Sequence, residues 1–170
     1  MTTIETWEGN IVHAPAEVIV NAANERLAAG SGVCGAIFKA AGHDPLQASC
    51  RASGRCPVGH AVITPSHNLE GQGIKKIIHA VGPRWDNHDP ATADELLEGA
   101  YTSSLALAEE NGLRSIAFPP ISTGIFGFPK DRGAEIAVRV ARAHSGSIEK
   151  ILLVGYDAED VAILQAALDK

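Results

Sequence analysis

Apolar residues in this chain fall into short runs that are typical of buried β-strands. The runs lie at Ile4–Trp7, Val18–Val20, His60–Thr64, Lys76–Ala80, Ser115–Phe118 and Lys150–Val154. Between them, helices are predicted after Gly32, at Pro45–Arg51, after Thr92, after Lys130 and after Asp157. Because strands alternate with helices, the pattern predicts an α/β sandwich with a mostly parallel central sheet.

Local signals at the helix ends support these assignments. Asp44 followed by Pro45 is typical of an N-cap with proline in the first turn. The segment Thr92–Glu95 matches a capping box ahead of a long helix, and Gly112 follows that helix as its expected C-cap. The sequence therefore predicts where several helices begin and end.

Two glycine-bearing loops each follow an apolar strand and precede an apolar helix. The first is Gly30–Gly35 and the second is Ser122–Gly127. Such loops leave free backbone N–H groups at a positive helix end, which suits phosphate, and both loops would open at the carboxyl ends of the strands. Two such loops predict a ligand with two phosphates. The alternative is that the glycines serve only as turn residues and that Asn21 and Asn24 cap a loop internally.

Size, charge and cysteine content limit the classes of function. The 170 residues fit one domain, 1–170, and the net charge of −6 argues against non-specific nucleic-acid binding. The three cysteines show no pairing pattern, which fits a reducing compartment. The segment Met1–Glu5 does not resemble a signal peptide and no apolar stretch is long enough to span a bilayer, so we expect a cytoplasmic protein without membrane contact.

The histidines lack the spacing of metal ligands, so the sequence predicts no metal site. His60 and His79 stand at the starts of apolar runs, and each is expected to be a packed or capping residue.

A set of motifs in a fixed order resembles the macrodomain family, which binds ADP-ribose. The matching segments are Gly9–Ile11, Val18–Asn24, Gly32–Gly42, Cys56–Ala61, His79–Pro83 and Phe118–Gly127. The chain looks most like the bacterial branch of O-acetyl-ADP-ribose deacetylases and mono-ADP-ribosyl hydrolases. This resemblance implies a three-layer α/β/α fold with a mostly parallel mixed sheet.

The resemblance also implies a role for each matching site position. It implies that Asn10 accepts a hydrogen bond from the adenine amine, that Asn24 binds the distal ribose and helps to place a water, and that Phe126 lies against that ribose. The implied catalytic positions are Asn24 and Cys34. The implied ligand-binding residues are Asn10, Ile11, Ala22, Asn24, Gly32, Val33, Cys34, Ser122, Thr123, Gly124, Ile125, Phe126, Tyr156 and Asp157.

Two residues depart from the family pattern. Cys34 stands where the cellular hydrolases usually have an aspartate that helps to orient or activate the attacking water. A thiol near a helix N-terminus can have a lowered pKa, so Cys34 has two possible roles, as a nucleophile or as a passive residue of the loop. We favour the passive role because no partner base is evident in the sequence. Asn10 also replaces an aspartate. Its bond to adenine would be neutral and weaker by about 1 kcal/mol.

These observations favour an enzyme that binds ADP-ribose and hydrolyses its esters, namely O-acetyl-ADP-ribose and mono-ADP-ribosylated acidic side chains of proteins. No cofactor is expected, and we expect a monomer. A second hypothesis is a reader module that binds ADP-ribose without turnover. A third is an RNA or regulatory-protein partner, which the acidic charge balance and the lack of a basic stripe disfavour.

Overall fold

The computed structural model describes residues 1–170 and contains one six-stranded sheet. All the predicted strands are present, with small shifts at their ends. They are Thr3–Glu8 (β1), Val18–Ala23 (β2), Ala61–Pro65 (β3), Lys76–Val81 (β4), Ser115–Phe118 (β5) and Lys150–Gly155 (β6).

The strand order is β1-β6-β5-β2-β4-β3. Only β3 is antiparallel to its neighbour, with Ala61 opposite Ala80 and Pro65 opposite Lys76. The other strands pair in parallel, so their carboxyl ends all lie at one edge of the sheet. The mostly parallel mixed sheet is therefore confirmed.

Helices cover both faces of the sheet. Val18 and Val20 of β2 join one apolar core, and Ile19 between them joins a second core on the opposite face. The helices are Gly32–Ala41 (α1), His43–Ser53 (α2), Pro90–Glu110 (α3), Lys130–Ala143 (α4) and Ala158–Leu168 (α5). Buried residues of α1 and α2 belong to the core that contains Ile19, and those of α3, α4 and α5 belong to the other. This confirms the three-layer α/β/α architecture.

Two predicted caps are wrong. Asp89 caps α3 by accepting a hydrogen bond from the Thr92 N–H, with Pro90 in the first turn, so the helix begins before the predicted capping box. Gly42 precedes α2, and Asp44 lies inside its first turn. In both cases the helix continues further towards the N-terminus because a proline is tolerated in a first turn.

The end of α3 and the start of α5 follow their sequence signals. Gly112 has a φ of +67° and lies just beyond the C-cap Asn111, where a left-handed residue stops a helix. Asp157 caps α5. No helix combines the length and the hydropathy needed to cross a membrane.

Candidate functional site

The carboxyl edge of the sheet gathers most of the residues singled out in the sequence. Asn10 follows β1, Asn24 follows β2, and Tyr156 follows β6. The second glycine-bearing loop follows β5, and the first leads into α1 after β2. Because these strands are parallel, their following loops share one rim, where ligands of α/β sheets bind.

The first loop presents the open end of α1. Gly32, Val33 and Cys34 are the first residues of this helix, and their N–H groups have no hydrogen-bond partner in the protein. Gly32 has a φ of +59° and is exposed, which brings bare backbone to the surface. Unpaired N–H groups and the helix dipole together favour an anion here.

The second loop has a similar row of N–H donors, but these donors are not part of a helix. The N–H groups of Thr123, Gly124, Ile125 and Phe126 have no partner in the protein. The loop is closed by hydrogen bonds from the Gly127 N–H to the Gly124 carbonyl and from the Phe128 N–H to the Ser122 carbonyl. The strand, the loop and the helix follow one another as expected, but α4 begins only at Lys130, so the unpaired N–H groups of this loop lie ahead of the helix and not in its first turn. Unpaired amides of this kind can bind an anion without the help of a helix dipole.

Ser122 anchors this loop in a strained conformation. Its φ is +67°, its side chain is buried, and its Oγ has no hydrogen-bond partner in the protein. An unpaired buried hydroxyl and a left-handed serine each cost free energy, and such strain is found chiefly at functional sites.

Asn24 uses most of its side chain within its own loop. Its Oδ1 accepts from the Arg26 and Ala28 N–H groups, each at 3.1 Å. Its Nδ2 donates to the Ala28 carbonyl, also at 3.1 Å. Asn24 therefore caps its own loop, as the alternative interpretation of this loop predicts. One N–H of the amide is left for a ligand or a water.

Cys34 is buried and is held between two polar groups. Its Sγ lies 3.6 Å from Asn21 Nδ2 and 3.7 Å from the Ala28 carbonyl oxygen. Burial raises the pKa of the thiol, and the hydrogen bond from Asn21 only partly offsets this. The lowered pKa that a helix N-terminus can produce is not found here. A protonated thiol favours the passive role.

Asn21 and His79 form a buried polar pair behind Cys34. Asn21 Nδ2 donates to His79 Nδ1 at 3.0 Å, and His79 Nε2 lies 2.9 Å from Thr64 Oγ1. Burial lowers the pKa of His79 to about 4, so the ring is neutral near pH 7. His79 is thus packed, as expected, whereas His60 is exposed and was wrongly expected to be packed or capping.

The β1 and β6 side of the rim has the polar and aromatic character expected at an adenosine. Asn10 Oδ1 accepts from the Val12 N–H at 3.2 Å and retains a free lone pair, while Ile11 is buried. Asp157 Oδ1 accepts from the Asp160 N–H. Tyr156 is 74% exposed beside it.

Exposed apolar side chains also mark this rim. Apart from Met1, the large hydrophobic side chains that are exposed are Ile125 and Tyr156, in the loops that follow β5 and β6. Ala22 is half-buried near the end of β2. Exposed apolar groups confined to one rim favour a binding surface there.

Arg84 also belongs to the rim, although its position in the sequence does not indicate this. Its guanidinium lies 5.3 Å from the centre of the Phe126 ring, and the next residue, Trp85, donates its N–H to the Phe126 carbonyl at 2.9 Å. No motif marks an isolated arginine after a strand, so only the structure reveals this contact. Among the described residues, no group of three or more His, Cys, Asp or Glu side chains is arranged to hold a metal ion.

Comparison with known proteins identifies this architecture. Residues 20–137 match the family model of the Macro domain. The chain is 45% identical over 163 residues to an O-acetyl-ADP-ribose deacetylase of Escherichia fergusonii, covering 92% of this chain and 90% of that protein. It is 46% identical over 167 residues to one of Klebsiella pneumoniae, covering 94% and 93%. The chain belongs to the macrodomain family.

Solved structures agree with this assignment. An Oceanobacillus iheyensis macrodomain variant with ADP-ribose superposes with a TM-score of 0.90 at 34% identity, covering 99% of this chain and 92% of that one. A Trypanosoma brucei macrodomain in complex with ADP-ribose gives a TM-score of 0.86 at 30% identity, covering 97% of this chain and 68% of that one. Relatives of this fold therefore bind ADP-ribose.

Proposed function

We propose that this macrodomain binds ADP-ribose and hydrolyses its esters, both O-acetyl-ADP-ribose and ADP-ribose attached to acidic side chains of proteins. The observation that carries the proposal is the pair of unpaired N–H rows. One lies at Gly32–Cys34 and the other at Thr123–Phe126, on neighbouring loops of the same rim. The names of the relatives and the ligands in the solved structures support it.

Backbone recognition explains how a diphosphate is held without lysine or arginine in either loop. The two loops follow β2 and β5, which are adjacent strands. The two rows can therefore face neighbouring phosphates. Glycine at Gly32 and Gly124 allows close approach, since an added Cβ there would project into open space instead of into the protein.

In this proposal the ligand extends along the rim in the order of the strands. Asn10 and Tyr156 follow the adjacent strands β1 and β6 and suit an adenosine. The phosphates lie next along the rim, at β5 and β2. The distal ribose then lies towards the β2 and β4 side, near Asn24 and Phe126. The free N–H of Asn24 is available there to a ribose hydroxyl or to a water.

The chemistry is hydrolysis by a positioned water. Water adds to the ester, the bond between the acyl group and the ribose oxygen breaks, and the products are a carboxylic acid and a free ribose hydroxyl. With Cys34 in place of a carboxylate and its thiol protonated, no side chain of the first loop acts as a strong base. The substrate's own phosphate would accept the proton, and orientation would supply most of the rate enhancement.

A reader module is the second candidate, and Cys34 is the feature that favours it. Loss of the carboxylate removes one means of activating water but leaves the N–H rows intact. Binding without turnover would be the result.

Calorimetry followed by a hydrolysis time course tests the proposal. ADP-ribose should bind, AMP should bind much more weakly, and EDTA should change neither affinity. Equal affinities for ADP-ribose and AMP would show that the protein has no binding site for the distal ribose. Release of acetate from O-acetyl-ADP-ribose distinguishes the enzyme from the reader.

A further inference from the structure

We propose that Arg84 is a specificity-determining residue that favours substrates carrying negative charge beside the ester on the acceptor. The inference rests on the proposed function, because it concerns the group attached to the distal end of ADP-ribose. It assigns a substrate class to this site: ADP-ribosyl esters within acidic segments of proteins.

The position of Arg84 follows from the sheet topology. Arg84 lies shortly after β4, which is the neighbour of β2 on the side away from β5, β6 and β1. A ligand with its adenosine at β1 and β6 and its phosphates at β5 and β2 points its distal end towards β4. Arg84 therefore lies where the acceptor protein would extend out of the site, beyond the N–H rows that hold the phosphates.

Arg84 packs against the second loop on an aromatic platform formed by Trp85, Phe126 and Phe128. Its guanidinium packs over the Phe126 ring, and the Trp85 N–H bonds to the Phe126 carbonyl. The Trp85 ring contacts Phe128 edge-on, with ring centres 4.9 Å apart. A guanidinium that is ordered in this way loses less entropy when it binds an anion.

The charge of Arg84 remains available to an incoming anion. Its one ion pair is with Asp86, at 3.8 Å, and the two side chains are 47% and 74% exposed. Arg132 lies over the Trp85 ring of this platform. Unlike Arg84, it is held by Asp94 through two hydrogen bonds of 2.7 Å. Since exposed single-contact pairs contribute little, Arg84 can exchange Asp86 for an acceptor carboxylate.

Arg139 provides a matched control. It is an exposed arginine in the second half of α4 and it pairs with Glu98 at 3.2 Å. The start of α4, not its second half, follows the second loop. Arg139→Gln removes the same charge from the protein without changing the rim.

The test compares two synthetic peptides in which ADP-ribose is esterified to a central glutamate flanked by aspartates or by asparagines. The measurement is the ratio of the two dissociation constants, and of the two kcat/KM values where turnover occurs, together with the Kd of free ADP-ribose. The wild-type protein should favour the acidic peptide by about two- to fivefold, the range for an exposed ion pair. The preference should weaken at high salt.

Arg84→Gln should remove the preference, Arg84→Glu should reverse it, and Arg139→Gln should retain it, with the affinity for free ADP-ribose unchanged throughout. An unchanged ratio in Arg84→Gln would overturn the proposal. So would a large loss of affinity for free ADP-ribose, which would place Arg84 on the ligand itself. A wild-type protein that does not bind ADP-ribose would instead refute the proposed function, and one that binds without turnover still gives the ratio of dissociation constants.

Discussion

Ser122 occupies the space that a side chain at Gly82 would need. A Cβ added to Gly82 would lie 2.1 Å from Ser122 Oγ and 2.6 Å from Ile121 Cγ2. Gly82 directly follows β4, and Ser122 belongs to the loop that follows β5, with β2 between these strands. The lack of a side chain at Gly82 therefore allows Ser122 and the second loop to pack against the end of β4.

Gly82→Ala should therefore weaken ADP-ribose binding and lower the free energy of unfolding by about 1–3 kcal/mol, because the methyl group forces Ser122 and its loop to move. Gly71→Ala is the control, since a Cβ at Gly71 meets no atom within 4 Å. Denaturant unfolding and calorimetry measure the two effects. Wild-type affinity in Gly82→Ala would show that the position of Ser122 does not matter for binding.

Gly32→Glu should abolish ADP-ribose binding, because its carboxylate would meet the diphosphate with like charge. An added Cβ meets nothing within 4 Å, although the φ of +59° adds about 1 kcal/mol of strain for any side chain. Gly32→Gln carries the same strain and nearly the same volume without the charge. Calorimetry should show a much larger loss of ADP-ribose affinity for Gly32→Glu than for Gly32→Gln. Equal losses would show that the volume of the side chain, not its charge, prevents binding.

Asn24→Ala should reduce turnover more than binding and should also destabilise the protein. The substitution removes the bonds to Arg26 and Ala28 that shape the loop, at a cost of about 1 kcal/mol or more. Asn24→Asp keeps the oxygen that accepts from the Arg26 and Ala28 N–H groups, but its second oxygen would face the Ala28 carbonyl, to which the amide of Asn24 donates. It should therefore recover only part of the stability, and without the free N–H it should remain slow. Steady-state kinetics and thermal unfolding separate the two effects. Equal losses in rate and affinity would make Asn24 a binding residue only.

Cys34→Ala should retain most activity, because the loop uses the N–H of residue 34 and the buried thiol is protonated. Cys34→Asp should raise the rate of hydrolysis if a carboxylate at this position aids the water. Hydrolysis rates and ADP-ribose affinity are measured for both variants. If both were inactive yet still bound ADP-ribose, the thiol would be a nucleophile and the passive role would be wrong.

His79 should make the protein less stable in acid. Burial lowers its pKa in the folded protein to about 4, whereas an unfolded histidine titrates near ~6.5. The unfolded chain therefore binds more protons between these values. This contribution to stability is complete above the unfolded pKa and is lost as the pH falls towards the folded one, by about 3 kcal/mol in total.

The pH dependence is isolated by comparing the wild-type protein with His79→Gln in denaturant unfolding at a series of pH values. The stability difference between them should change across this window. Hydrogen bonds from Ser147 and His144 lower the pKa of Glu109 to about 2. The stability that Glu109 contributes is lost at lower pH and to the same extent in both proteins, so it does not change the difference between them. A constant difference between the two proteins would show that His79 does not titrate on unfolding.

The six strands, the five helices and the two loops with unpaired N–H groups are all predictable from the amino-acid sequence. These features depend on local chemistry: apolar periodicity, glycine at Gly32 and Gly124, and helix ends such as Gly112. The order of the motifs along the chain also indicates the family.

The contacts between these groups, in contrast, depend on the three-dimensional packing of the chain. Burial in the surrounding core raises the pKa of Cys34 despite the hydrogen bond from Asn21, whereas its place at a helix N-terminus indicated the opposite. The contacts between Gly82 and Ser122 and between Arg84 and Phe126 join segments that are far apart in the chain. A local pattern contains no information on such pairs, because strand order and packing, not sequence spacing, bring them together.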